Sequence, residues 1–139
     1  MIELACPACR GPLVAAADGR RCTACEIEYP TVDGIHRLLS PTRADHFARF
    51  LDDYTAVRKG EGRASADPEY FRRLPEPTPG GPIEWQWRIR RNTWATVRDE
   101  VIAPMSHGGR SLVVIDVGAG VGWLSNRLTE LGHEAHAVD

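Results

Sequence analysis

No apolar run in this 139-residue chain extends beyond a few residues, far short of the roughly 20 that a membrane-crossing helix requires. The start, MIELACPACR, carries neither the basic stretch nor the apolar stretch of a secretory signal, so the expected compartment is the cytoplasm, with no membrane partner. An excess of positive charge is missing as well. The 17 Lys+Arg stand against 19 Asp+Glu, a net charge of −2, which excludes nonspecific nucleic-acid binding through a global field. Cysteine is absent after residue 25, and His36, His46, His107, His133 and His136 have no spacing that makes a site. The remainder is ordinary globular usage, 42 % hydrophobic and 26 % charged, so the chain is neither disordered throughout nor built for lipid.

Composition varies along the chain and separates three segments. Residues 1–40 hold all four cysteines, in the pattern Cys6-x2-Cys9, twelve intervening residues, Cys22-x2-Cys25. Short strands are expected around Leu13-Val14, Ile27 to Pro30 and Val32 to Ile35, with tight turns at Asp18-Gly19 and Asp33-Gly34. There are too few large apolar residues here for a sufficient core, and a segment so small needs a staple. Two knuckles of this spacing place four thiolates tetrahedrally around a structural Zn²⁺ and leave no open coordination position. Two disulfides are the other option, disfavoured in a chain without an export signal.

Residues 41–109 predict a helical connector. Pro41 opens a helix carrying Phe47, Phe50, Leu51, Tyr54 and Val57 at helical spacing until Gly60. A second, shorter helix starts at Asp67-Pro68, and the Pro/Gly-rich stretch 75–82 follows it as a loop. A third is expected from Ile83 to Ile102, ended by Pro104. Its stripe is Ile83, Trp87, Trp94, Val97 and Val101, with Trp85 and Ile89 opposite, a pattern that predicts cover on two faces. Arg88, Arg90, Arg91 and Arg98 are interleaved with these tryptophans, but they spread around the helix and read as a solvated surface.

Residues 110–139 read in βαβ order. Ser111 to Val117 is an apolar strand of the kind buried on both faces of a parallel sheet, Val121 to Leu131 a helix, and Glu134 to Val138 a second strand. Between strand and helix runs Gly118-Ala119-Gly120-Val121-Gly122, where glycine permits a tight turn and close approach to a ligand. Trp123 occupies the position of the third glycine of a dinucleotide fingerprint, and no Gly-Lys-Ser/Thr follows, so neither a pyrophosphate turn nor a P-loop fits. The fold class expected overall is α/β.

Two stretches resemble known families. CPACRGPL, CTAC and YPTVDGI followed by LL, over about residues 4–39, resemble the small zinc ribbons of the methyltransferase-activator family. That family's ribbons occur as separate subunits or fused to methyltransferases. The zinc region of ribosomal RNA guanine methyltransferases is a neighbouring likeness, but its fourth ligand tends to be histidine where this chain has Cys25. The run Asp116-Val117-Gly118-Ala119-Gly120-Val121-Gly122 is similar to motif I of class I S-adenosylmethionine-dependent methyltransferases.

This second resemblance implies a Rossmann-like domain in which Asp116, Gly118, Ala119, Gly120 and Gly122 pass beneath S-adenosylmethionine. Asp139, 21 residues after Gly118, would accept hydrogen bonds from the two ribose hydroxyls. Arg91, at the edge of the third helix's stripe, is the candidate partner of the methionyl carboxylate. A complete domain of that class has seven strands, and the sequence reaches the second. The expectation is therefore the N-terminal portion of a methyltransferase, truncated before its catalytic residues and inactive alone, with a small molecule, RNA or protein as acceptor. A binding or activator module contacting a protein or RNA partner without catalysis is the other reading. Self-association through the exposed strand, or cover of that strand by Trp87 and Trp94, is expected of residues 113–117.

Overall fold

Asp33 and Gly34 close a two-residue hairpin with both residues in the left-handed region, φ 52° and 78°, a geometry that matches the twist of the flanking strands. They join β3 (Glu28–Val32) to β4 (Ile35–His36). The other Asp-Gly pair is used differently. β1 (Leu13–Ala16) passes into β2 (Gly19–Cys22) through Ala17 and Asp18, and Gly19 is already a strand residue, opposite Ala16 on one side and Pro30 on the other. A Cβ at Gly19 would lie 2.1 Å from the Tyr29 carbonyl oxygen, so this glycine serves close strand approach rather than the turn. The four strands form one antiparallel sheet in the order β1-β2-β3-β4. Its core is Cys6, Cys22 and Tyr29, flanked by Leu13, Cys25, Ile27 and Leu38.

This sheet belongs to the first of two compact units, Met1–Ala56 and Val57–Asp139, in a computed structural model that describes residues 3–63 and 65–139. α1 (Pro41–Gly60) has the expected bounds, yet none of its residues is buried. Phe50, Leu51, Tyr54 and Val57 are all exposed; the stripe is helical as its spacing predicts, but it is not a core face.

In the second unit, α2 (Pro68–Arg73) begins as its sequence dictates. Pro68 sits in the first turn, and the Asp67 carboxylate accepts the Glu69 N–H at 2.9 Å, closing an orphan donor of the helix N-terminus. α3 (Glu84–Thr96) runs on through a π-helical turn, Val97–Ile102, into α4 (Ala103–Met105). The π turn corrects the expected stripe. Its hydrogen bonds reach back five residues, as from the Ala103 N–H to the Arg98 carbonyl, so the inward position after Trp94 and Val97 slips by one. Ile102 is buried and Val101 is exposed. Pro104 does not end the helix, which continues to Met105. Trp85 and Ile89 are exposed, so α3 is covered on one face, not two.

β5 (Val113–Val117) and β6 (Glu134–Val138) pair in parallel, from Val113 opposite Glu134 to Val117 opposite Val138, with α5 (Trp123–Glu130) between them in the chain. Trp94, Ile102, Leu112 and Leu128 form the core beneath this pair, with Val114 and Trp123 packed against it. Trp87 joins Leu74 and Ile83 in a second cluster, and its ring meets Trp123 edge-on at 6.4 Å. One face of β5 is thus covered. The other is not: Val113, Ile115 and Val117 are exposed, which departs from the two-sided burial expected of so apolar a run. Arg127 of α5 clasps the end of α2, donating to the carbonyls of Leu74 and Arg72. Among the described residues, no helix is long and apolar enough to cross a membrane.

Candidate metal centre

Each cysteine pair sits on the same local device. In Cys6-Pro7-Ala8-Cys9-Arg10 and Cys22-Thr23-Ala24-Cys25-Glu26, the residue after the second cysteine adopts a left-handed conformation, Arg10 at φ 63° and Glu26 at φ 60°. Its N–H returns to the carbonyl of the first cysteine, at 2.7 Å in one knuckle and 3.1 Å in the other. A left-handed non-glycine residue costs about 1–2 kcal/mol, and both knuckles bear that cost in order to turn their two sulfurs the same way. Gly11 lets the knuckles close, because a Cβ there would come within 2.8 Å of the Ala24 Cβ and 3.2 Å of the Cys9 and Cys22 sulfurs.

The result is four sulfurs whose Sγ atoms all lie within 4.8 Å of one another. Cys9 and Cys22 are 3.5 Å apart and Cys6 and Cys25 3.7 Å. All four are free thiols, and these separations are far beyond the bonded distance of about 2.05 Å. They match a tetrahedral metal: with Zn–S bonds of about 2.3 Å, the sulfurs of a tetrahedron stand about 3.8 Å apart. The cysteines are therefore placed to hold a metal ion such as zinc. Cys6 and Cys22 are buried, Cys25 is half-buried and Cys9 faces solvent.

Proton affinities across the cluster are split. A hydrogen bond from the Tyr29 hydroxyl is the main cause that brings the Cys6 thiol down to about 6, and backbone amides, that of Cys25 first, lower Cys22. At Cys25 the Ile27 amide pulls downward, but burial and the three neighbouring sulfurs outweigh it and push the thiol up to about 12. Cys9 is raised too, the pull of its Gly11 amide and of Cys25 outweighed by the Cys22 sulfur, burial and the Cys6 sulfur. Four thiols in contact cannot all ionise without a cation to compensate them; a divalent metal replaces those protons. Two backbone amides, Gly11 and Ala24, donate to the Cys9 and Cys22 sulfurs at 3.4 Å each, and the Tyr29 hydroxyl stands 3.1 Å from the Cys6 sulfur. In sequence Tyr29 reads as a strand residue of the ribbon-like stretch. The available signal was its position in the strand just after the second knuckle.

The glycine turn of the second unit is elsewhere in the chain. Gly118, Gly120 and Gly122 are all left-handed, at φ 75°, 55° and 70°, and a Cβ on any of them would meet nothing within 4 Å. The amides of Gly118 and Ala119 both donate to the Val138 carbonyl, at 2.7 and 3.1 Å, so Asp139 follows β6 directly beside the turn. Ala119 is buried and Asp139 exposed. The Asp116 carboxylate accepts the Ser125 hydroxyl at 2.9 Å. Arg91 is exposed and faces Glu76 at 3.6 Å. The neighbouring Arg90 stacks over Trp87 at 4.8 Å, and its buried Nη1 has no hydrogen-bond partner among the described residues.

No family model, curated protein or solved structure matches the chain.

Proposed function

We propose that the chain is a zinc ribbon joined to the opening βαβ of a Rossmann-like, S-adenosylmethionine-binding methyltransferase domain. The four-sulfur cage supports the zinc half of this reading, and a structural ion there supplies folding energy that the small sheet lacks. For the cofactor half, the observation that carries most weight is the parallel pairing of β5 with β6 across three left-handed glycines. That pairing sets Asp116 and Asp139 at the same turn, where a carboxylate at the end of β6 suits a vicinal diol. Gly118, Gly120 and Gly122 leave an open backbone surface against which a ligand can lie. Methyl transfer to a nucleophile in line with the sulfonium carbon asks mainly for positioning, and the acceptor would be a small molecule, RNA or protein.

Calorimetric titration of the zinc-loaded protein with S-adenosylhomocysteine tests the cofactor half. Binding that disappears in Gly120→Val supports it; binding indifferent to Gly120 overturns it. A second reading, a zinc-ribbon module that contacts a protein or RNA partner without catalysis, is favoured by the exposed Phe50, Leu51 and Val57 of α1. It gains if the titration is silent.

A further inference from the structure

Tyr29 is the one aromatic residue of the zinc-ribbon core, with 1 % of its surface exposed. A phenol so deeply placed has lost its water and needs a partner inside the fold. The partner is a cysteine sulfur, Cys6 Sγ at 3.1 Å, in a bond buried at both ends. The donors to Cys9 and Cys22 are backbone amides, which the knuckle turn supplies whatever the side chains are. The donor from Tyr29 is different because it depends on one side chain, held from β3, 23 positions along the chain from the cysteine it serves.

Once a metal takes Cys6 as a thiolate, the sulfur has no proton, and the hydroxyl is the only possible donor of the pair. Four thiolates around a divalent cation carry a net charge of −2, half of it on buried sulfurs. A charge-assisted O–H···S⁻ bond draws density from the sulfur and fixes its lone-pair direction. The Gly19 contact supports this alignment, because the strand approach that only glycine allows locks the Tyr29 backbone against β2.

We propose that Tyr29 is an outer-shell positioning residue of the metal centre, its hydroxyl donating to the Cys6 thiolate and setting both metal affinity and the donor strength of that sulfur. The inference rests on the reading that the four cysteines hold zinc. Loss of an outer-shell partner typically weakens metal binding about 10–100-fold. The expected change for Tyr29→Phe, which keeps the ring and removes only the oxygen, is about 10-fold, at the lower end because the amide donors remain.

The test compares wild-type and Tyr29→Phe chains in two measurements. In competition with a chelator of known affinity, the variant should hold zinc about 10-fold more weakly. With Co²⁺ in place of zinc, its sulfur-to-metal charge-transfer absorption should move to longer wavelength, since the Cys6 sulfur electrons rise in energy without the hydrogen bond. The visible ligand-field bands should stay tetrahedral. A loss of packing alone would not shift the charge-transfer energy. An unchanged band together with unchanged affinity overturns the role of Tyr29 while leaving the metal site intact. A wild-type chain with no charge-transfer band overturns the metal site itself. Should the variant not fold, proton exchange of the Tyr29 hydroxyl in the wild-type metal complex decides: protection supports the bond, and exchange as fast as that of a free phenol refutes it.

Discussion

Trp94→Ala removes the largest side chain from the core that also holds Ile102, Leu112 and Leu128. The indole is 9 % exposed. Burial of about 200 Å² at about 25 cal/mol per Å² sets an upper figure of about 5 kcal/mol, and partial collapse of the neighbours brings the expected loss to about 3–5 kcal/mol. A unit the length of Val57–Asp139 holds roughly 4–12 kcal/mol in all, so the variant should be marginal or unfolded in that unit. Trp85 provides the control, because it lies on the same helix but is 60 % exposed, and Trp85→Ala should cost about 1 kcal/mol or less. Urea titration, followed through the amide NMR signals of β5 and β6, reports on this unit alone. With a slope of about 1 kcal/mol per molar, the midpoint should fall by about 3 M or more for Trp94→Ala and by about 1 M or less for Trp85→Ala. Equal midpoints for the two variants would refute the assignment of Trp94 as the cover of the β5–β6 pair.

Cys22→Ser should release the metal and unfold residues 1–40, since a fully buried ligand is lost from a segment with little other core; metal content and the NMR spectrum of the first unit check this. Zinc binding near pH 7 should release the protons held on Cys9 and Cys25, whose thiols are raised, while Cys6, at about 6, is already ionised. Apparent affinity should therefore fall by at least about 100-fold for each pH unit lost near neutrality, tenfold for each of these two displaced protons, and calorimetry in buffers of different ionisation heat measures the proton count. Gly19→Ala should be far more damaging than Gly118→Ala. The first drives a methyl to 2.1 Å from the Tyr29 oxygen, whereas the second meets open space and bears only left-handed strain of about 1–2 kcal/mol. Thermal unfolding of the two variants compares them directly.

Local chemistry made much of this legible. The cysteine spacing announced a four-ligand cluster, Pro41 and Gly60 bounded α1, Asp67-Pro68 opened α2, and the limits of β6 were read as they stand. The misreadings arose where a neighbour distant in sequence decides the outcome. Nothing in Asp18-Gly19 reveals that Gly19 must admit the Tyr29 carbonyl, so the turn was placed one residue late. A regular 100° repeat cannot foresee a π turn, and a single inserted residue per turn exchanged Val101 for Ile102 in the core. The apolar stripes of α1 and β5 gave their elements correctly, yet periodicity says which side chains share a face and not whether anything packs on it. Tyr29 escaped notice because its function lies in one hydroxyl reaching a sulfur across the sheet.

On the proposed reading, Cys6, Cys9, Cys22 and Cys25 together hold one metal ion. Zinc K-edge X-ray absorption on the purified protein decides the point. One zinc per chain is expected, with four sulfur neighbours at about 2.3 Å and no nitrogen or oxygen bound to it. A shell containing fewer than four sulfurs, or a metal-free chain whose mass shows two disulfides, would contradict it.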